Sequence, residues 1–265
     1  MEFFLSLTLA GISVGSVYAL IALGLNLTFW TTRTLNFGQG SLMMLCAMVV
    51  VFLSAQGWPM ALGVLGSLTI VGASGVLIER FTIRPALRSS GSMGWVVSTL
   101  GVGIFLQGVA AKFFGSQAIA FPEILFTSQD FVIIFGLYVS LQYLVIFCLS
   151  LGLIVLLELF VRRTVWGQAV RAVSLDPELS LAQGIPVRLI VIGSFIASSI
   201  LAGIAGILVA QIGGTVDPAF GFDLVLFGFV AAVLGGMGSS FGALVGGVVV
   251  GIISKLVGGY ISTAA

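Results

Sequence analysis

Residues 189–211 read LIVIGSFIASSILAGIAGILVAQ, and this stretch contains no charged side chain. About 20 apolar residues are enough for a helix to cross the hydrocarbon core of a bilayer. Small residues recur at every fourth position, at Ser194, Ser198, Ala202, Gly206 and Ala210. Because lipid tails are as apolar as leucine, membrane helices associate where small residues let their backbones approach. The stretch therefore predicts a membrane-spanning helix packed against a neighbour, either inside this chain or in a second membrane subunit.

The whole chain has the same apolar character. Of its 265 residues, 59% are hydrophobic and 7% are charged, and the mean hydropathy is +1.26. A soluble domain carries about 25% charged residues, so a soluble enzyme, a disordered chain and a secreted disulfide scaffold are excluded. The strands of an outer-membrane barrel alternate polar and apolar residues and would not raise the hydropathy this far. The composition predicts an all-α integral membrane protein.

The apolar runs predict about eight transmembrane segments within a single domain, 1–265. Five runs are long enough to span a bilayer without a break, at 5–29, 59–78, 94–111, 135–159 and 189–211. Three are short or follow glycine-rich breaks, at 42–56, 224–234 and 241–256. With an extracytoplasmic N-terminus, eight of the ten Lys and Arg fall on the cytoplasmic side, at Arg33, Arg80, Arg84, Arg88, Arg162, Arg163, Arg171 and Arg188. This bias is what the positive-inside rule predicts.

The chain lacks the residues that several functions require. The chain has no histidine, its net charge is +1, and no Gly-Lys pair occurs, so no catalytic histidine base, nucleic-acid-binding face or P-loop for ATP is predicted. The G-x-S-x-G pattern at 238–242 therefore has no histidine to activate its serine. Glu79 and Glu158 lie at inner helix ends beside arginines, which indicates interfacial ion partners rather than a proton relay. We expect no catalytic site, metal or cofactor on this chain.

Two glycine-rich breaks interrupt the apolar pattern. The early break is Asn36-Phe37-Gly38-Gln39-Gly40, and the late break is Gly235-Gly236-Met237-Gly238-Ser239. Irregular backbone at membrane depth is tolerated where it is buried in protein or lines a cavity, and paired breaks in transporters point to a translocation path. Ordinary tight turns between helices are the alternative interpretation.

The loop 161–188 is the longest polar region of the predicted inner side. Asp176 can cap a helix, Pro177 suits its first position, and Glu178 suits the positive end of its dipole. Gly184 suits the left-handed position after the helix end. We therefore predict a short helix over 177–183 on the cytoplasmic face, which serves either as a connector or as a docking element for a partner.

The spacing of Glu178 and Gly184 resembles the E-A-A-x-x-x-G loop of ABC importer permeases, although Leu179 and Ser180 replace the paired alanines. The wider pattern is similar to that of branched-chain amino acid importer permeases. The stretches that carry this resemblance are LNFGQG at 35–40, GQAVRAV at 167–173, DPE at 176–178, GI at 184–185, VLGGMGS at 233–239 and GA at 242–243.

The resemblance implies a permease subunit in a bacterial or archaeal cytoplasmic membrane. Its implied partners are a second permease, identical or related, two cytoplasmic ATPases that bind ATP and Mg, and an extracytoplasmic substrate-binding protein. Contact with the ATPases is expected from the loop 161–188, at Arg171, Asp176, Pro177, Glu178 and Gly184. The backbone expected to line or gate the path comprises Asn36, Gly38, Gln39, Gly40, Gly235, Gly236, Met237, Gly238 and Ser239.

The implied cargo is a branched-chain or other amino acid, or a related amide or urea. Three alternatives remain at this stage. An ABC permease for sugars would be expected to show more hydrogen-bonding side chains in its path. A stand-alone channel or facilitator for small neutral solutes could use the same breaks without an ATPase. An intramembrane enzyme is disfavoured by the missing histidine and paired acids.

Overall fold

The computed structural model describes residues 2–88, 94–124, 130–134 and 137–260. Its helices are α1 (Glu2–Thr32), α2 (Gln39–Ala55), α3 (Met60–Ile78), α4 (Arg84–Arg88), α5 (Gly94–Phe114), α6 (Leu141–Arg163), α7 (Val165–Leu175), α8 (Pro177–Ala182), α9 (Val187–Gly213), α10 (Phe220–Gly235) and α11 (Ser240–Tyr260). A π-helical turn, Glu79–Ile83, joins α3 to α4. The strands are β1 (Ile119–Ala120), β2 (Phe131–Ile134), β3 (Leu137–Ser140) and β4 (Thr215–Val216).

The helical membrane architecture is confirmed. Six helical stretches within the described residues are long and apolar enough to span a membrane, namely those of α1, α3 with its extension to Leu87, α5, α6, α9 and α11. The helices α2 and α10 are apolar but have only 17 and 16 residues. Together these make the eight segments that the sequence predicts.

Two predicted boundaries are wrong. The segment at 241–256 is not short, because α11 continues through two glycines to Tyr260 and has 21 residues. The segment at 135–159 begins as a helix only at Leu141, because the preceding residues form the antiparallel hairpin β2–β3. Residues 135 and 136 lie outside the described part of the chain. A short apolar run is compatible with either a strand or a helix, so composition did not separate the two.

The helix α1 lies at the centre of the bundle, against α6, α9, α10 and α11. Glycines allow its close approach to α11: a Cβ at Gly15 would lie 2.7 Å from the carbonyl oxygen of Gly247. The small residues of α9 that recur every fourth position are all buried inside this chain. Gly206 among them packs against the backbone of Met43. Packing within the chain therefore accounts for this pattern.

The predicted inner loops gather at one end of the bundle. The Arg33 guanidinium, just after α1, donates to the Ser174 carbonyl oxygen of α7 at 2.6 Å. A surface cavity at the same end is bordered by residues of α1, α4, α8 and α9. At the opposite end, Phe3 packs edge-on against Tyr260, and β1 pairs with β4.

Candidate functional site

The segment between α6 and α9 forms two helices in place of the single one predicted. Thr164 caps α7 by accepting the amide proton of Gly167 at 3.0 Å. A Cβ at Gly167 would overlap the backbone of Val161, so α7 folds back closely on the end of α6. The helix α7 was not predicted, although its apolar and polar residues alternate with helical spacing.

The predicted short helix is confirmed as α8, which ends one residue before the predicted 183. The Asp176 carboxylate accepts the Leu179 amide proton at 2.9 Å, and Pro177 occupies the first helical position. At the other end Gly184 has φ +83° and donates to the Leu181 carbonyl oxygen at 3.0 Å. Ile185 donates to the Ser180 carbonyl oxygen at 3.0 Å, which completes a Schellman motif. Both ends of α8 are fixed by local chemistry.

We expect Asp176→Ala to loosen α8 locally. Loss of an N-cap side chain costs about 1 kcal/mol, so hydrogen exchange at the Leu179 amide should accelerate about fivefold. Mass-spectrometric hydrogen exchange on the purified protein measures this rate. Asp176→Asn is the matched control and should retain the protection, since asparagine caps as well as aspartate. An unchanged Leu179 rate in Asp176→Ala would show that the cap does not hold the helix.

Apolar side chains on α7 and α8 extend into solvent beside charged residues. Leu175, Leu179 and Leu181, which we call the leucine face, are 84%, 57% and 66% exposed. Glu178 and Arg171 are exposed nearby. Large apolar side chains exposed beside charged residues are typical of an interaction surface. The leucine face thus has the composition of a docking surface.

The late break is confirmed. The helix α10 ends at Gly235, and Gly236 and Gly238 have φ values of +86° and +103°. The amide of Asn26, fully buried in α1, spans the break: its oxygen accepts from Gly238 and its nitrogen donates to the Ser239 carbonyl, both at 3.4 Å. The sequence did not predict a role for Asn26. An amide inside the first predicted span was the available signal.

The early break is shifted along the chain relative to the prediction. Gln39 and Gly40 are the first residues of α2, and the irregular backbone covers residues 33–38. The Gln39 side-chain amide donates to the Ile21 carbonyl oxygen at 3.2 Å. Ile21 lies eleven residues, about 16 Å along the helix, before the end of α1. The start of α2 therefore lies beside the body of α1 rather than at its end.

The two breaks contact different parts of α10. The early break contacts the start of α10, where a Cβ at Gly40 would overlap the Gly221 carbonyl. Asn36 is 1% exposed, and neither polar atom of its amide has a hydrogen-bond partner within the described residues. Gly38 is buried between Asn36 and the Thr99 carbonyl of α5. The early residues are thus enclosed, whereas Gly236, Gly238 and Ser239 are exposed.

A polar cavity of about 350 Å³ connects the late break to the loop 161–188. Glu158 lies at its wall, paired with Arg162 of the same helix and 4.0 Å from the Arg171 guanidinium of α7. The carboxylate also lies beside Ser240, the first residue of α11, at the wall of the same cavity. Glu158 therefore joins α6, α7 and the far side of the late break. Glu79, the other predicted ion partner, binds Arg84 at 2.8 Å.

The family and the relatives that match this chain are transport permeases, which agrees with its helical membrane architecture. The family described as "Branched-chain amino acid transport system / permease component" matches residues 7–265. High-affinity branched-chain amino acid transport system permease protein LivH of Escherichia coli K12 is 32% identical over 273 residues, covering 98% of this chain and 88% of the relative. LivH of Salmonella typhimurium LT2 is 31% identical with the same coverage.

The name of a third relative describes the same function. High-affinity branched-chain amino acid transport system permease protein BraD of Pseudomonas aeruginosa PAO1 is 31% identical over 255 residues, covering 91% of this chain and 82% of the relative. No solved structure matches this chain significantly.

Proposed function

This chain belongs to the family of branched-chain amino acid transport permeases, and we propose that it is the membrane-spanning subunit of an ATP-driven ABC importer for these amino acids. The chain is a multi-pass membrane protein and a transport subunit rather than an enzyme. The relatives' names support a branched-chain or other amino acid as the cargo over a sugar. We place the single permease domain, 1–265, in a bacterial or archaeal cytoplasmic membrane, with its N-terminus extracytoplasmic.

The observation that carries this proposal is the leucine face on a doubly capped helix, at the same end as the late break. The sequence contains no P-loop, which agrees with ATP binding on partner chains. We propose that two cytoplasmic ATPases, which bind ATP and Mg, dock on this face with contacts to Arg171 and Glu178. A second permease, identical or related, would complete the path, and an extracytoplasmic binding protein would deliver substrate.

The ion-pair network suggests how movement of α7 and α8 reaches the path. Only four residues separate α8 from α9, so displacement of α8 would tilt α9. Displacement of α7 would pull on Arg171, and through Glu158 on Ser240 at the start of α11. We propose that this movement opens the late break at Gly235, Gly236, Met237, Gly238 and Ser239.

The early break has a separate role in this proposal. Asn36, Gly38, Gln39 and Gly40 are enclosed between α1, α5 and α10, so they would gate the path rather than form its open wall. The unpartnered amide of Asn36 supports this role, because an unsatisfied buried polar group costs free energy and therefore favours a second arrangement in which it finds a partner.

We expect Glu158→Gln to reduce coupling without stopping ATP hydrolysis. Partly exposed ion pairs contribute up to about 1 kcal/mol, so uptake per ATP hydrolysed should fall about two- to fivefold. Parallel measurement of radiolabelled uptake and phosphate release in proteoliposomes gives this ratio. Asp223→Asn removes an exposed carboxylate from α10 and should leave the ratio unchanged. An unchanged ratio in Glu158→Gln would contradict the proposed linkage.

Purification of the tagged full-length chain from its own membranes tests the function as a whole. We expect two ATPases and a second permease to co-purify, and the reconstituted complex to take up leucine, isoleucine or valine only with ATP and the binding protein. ATP-dependent uptake of a sugar but no amino acid would favour the sugar permease. Solute flux through this chain alone, without an ATPase, would overturn the proposal in favour of a channel.

A further inference from the structure

The polar cavity between the late break and α7 lies where a solute that leaves the proposed path would emerge. Gly238 and Ser239 of the break border it on one side, and Ser174 and Leu175 of α7 border it on another. Its volume of about 350 Å³ falls within the range of small-molecule sites, about 300–1,000 Å³. The cavity is therefore large enough for a small organic molecule.

The charges at this cavity are predominantly positive. Arg33, Arg162 and Arg171 border it together with a single carboxylate, that of Glu158. Arg162 is paired with Glu158, whereas the ion pairs of the described residues do not include Arg33. A guanidinium binds a carboxylate through strong charge-assisted hydrogen bonds. Arg33 and Arg171 are thus the two groups that can receive an anionic ligand.

The backbone at Arg33 is strained. Within the part of the chain that the structure describes, it is the one residue other than glycine with a positive φ, +56°. Such conformations cost free energy and are concentrated at ligand-binding and switch regions. The Arg33 guanidinium donates to the Ser174 carbonyl oxygen at 2.6 Å, which holds it at the cavity. Its remaining N–H groups can donate to a ligand.

Glu158 gives the cavity a second kind of contact. Its carboxylate lies 4.0 Å from the Arg171 guanidinium. Because a carboxylate has about four acceptor positions, Glu158 can accept from an ammonium group while it remains paired with Arg162. Opposite charges this close together match an α-amino acid, whose carboxylate and ammonium groups are attached to the same carbon atom. A simple anion would contact the arginines and leave Glu158 unused.

Apolar side chains border the same cavity. Trp30 of α1, Leu175 of α7 and Phe241 of α11 are among its lining residues. Leu175 and Phe241 are 84% and 75% exposed, so an apolar group bound against them would remove apolar surface from water, which is favourable. The cavity therefore combines charges that suit the backbone groups of an amino acid with a surface that suits an apolar side chain.

We propose that the polar cavity binds the imported amino acid on the cytoplasmic side, with its carboxylate on Arg33 and Arg171 and its ammonium group on Glu158. The inference rests on the proposed function, which supplies the cargo and places this end of the bundle in the cytoplasm. The bound amino acid draws Arg171 away from Glu158 and so weakens the linkage between α7 and α11. Accumulated product thereby lowers the uptake per ATP hydrolysed.

Equilibrium binding of radiolabelled leucine to the purified complex in nanodiscs, without binding protein, tests the site. We expect Arg33→Gln to weaken binding at least about tenfold, because a charge-assisted hydrogen bond is lost. Phe241→Ala should weaken it about threefold through loss of apolar contact; its side chain is exposed, so the fold should tolerate the change. Arg163→Gln is the matched control, since Arg163 is exposed at the end of α6 but does not border the cavity.

Competition by two analogues separates an amino acid site from a simple anion site. The compound 4-methylpentanoate lacks the ammonium group of leucine, and 3-methylbutylamine lacks its carboxylate. Each should compete at least about tenfold more weakly than leucine, because each leaves one charged contact unmade. Competition by 4-methylpentanoate or inorganic phosphate as strong as that by leucine would overturn the proposal. So would equal leucine binding in Arg33→Gln and Arg163→Gln.

Proteoliposomes that enclose ATP, with or without unlabelled leucine, test the effect on transport. We expect enclosed leucine to lower the initial uptake per ATP hydrolysed about twofold or more, the effect of a weakened ion pair. Enclosed 4-methylpentanoate should have no effect, and Arg33→Gln should show little inhibition by leucine. An unchanged ratio in the unmodified complex would overturn the inference. ATP-dependent uptake without leucine binding at the cavity would overturn this inference alone, whereas absence of amino acid uptake would overturn the proposed function.

Discussion

Glu178→Arg is expected to reduce substrate-stimulated ATP hydrolysis by the assembled transporter at least about tenfold. Glu178 is exposed in the first turn of α8, and the ion pairs of the described residues do not include it, so its carboxylate is available to a partner. Reversal of the charge opposes the dipole of α8 and brings a cation against a surface that accepts an anion. Like charges across an interface cost several kcal/mol. A loss of about 1.4 kcal/mol is enough for a tenfold reduction.

The measurement is phosphate release by the reconstituted complex with and without loaded binding protein. Retention of the ATPases on the tagged chain is recorded in parallel. Lys112→Glu reverses an exposed charge at the end of α5, on the opposite side of the bundle, and should change neither quantity. Unchanged stimulation together with unchanged assembly in Glu178→Arg would contradict the docking role of α8.

Gly235→Ala is expected to destabilise the bundle by at least about 3 kcal/mol. A Cβ at Gly235 would overlap the Gly242 carbonyl, and one at Gly242 would overlap the Gly235 carbonyl. Neither obstacle is a side chain that can rotate away, so α10 and α11 must separate. Overpacking usually costs about 1–3 kcal/mol, and an overlap with rigid backbone lies at or beyond the upper limit. Separation of α10 and α11 would also distort the backbone of the late break.

Thermal unfolding in detergent checks this prediction. A loss of 3 kcal/mol corresponds to a fall of at least about 6 °C in the melting temperature of a chain of this size. Gly152→Ala is the matched control: Gly152 is exposed in α6 and a Cβ there meets no atom within 4 Å, so alanine should be neutral or slightly stabilising. Equal melting temperatures for the two variants would show that close backbone contact is not required.

The local parts of the candidate site could be predicted from sequence. The ends of α8 depend on Asp176, Pro177 and Gly184, whose preferences act over three or four residues and are the same in any fold. The late break followed from Gly236 and Gly238 for the same reason. The apolar runs located the bundle because spanning a bilayer requires length and apolarity alone.

The remaining features depend on contacts between distant residues. Asn26 contacts the late break across more than 200 positions of sequence. No local sequence pattern can indicate a contact between residues so far apart. The position of α2 beside α1 depends on the contact of Gln39 with Ile21. The hairpin β2–β3 was hidden because its residues are as apolar as those of a helix. The ion pair between Glu158 and a residue of a second helix likewise could not be predicted, because it depends on how the helices pack in the bundle.

The enclosed start of α2 has a consequence for biosynthesis. Gly40 packs against Gly221, which the ribosome adds about ten to forty seconds later at ordinary elongation rates. Until then the irregular backbone before α2 lacks the wall that shields it, and lipid cannot satisfy its polar groups. We therefore expect the start of α2 to reach its final packing only after α10 has been synthesised.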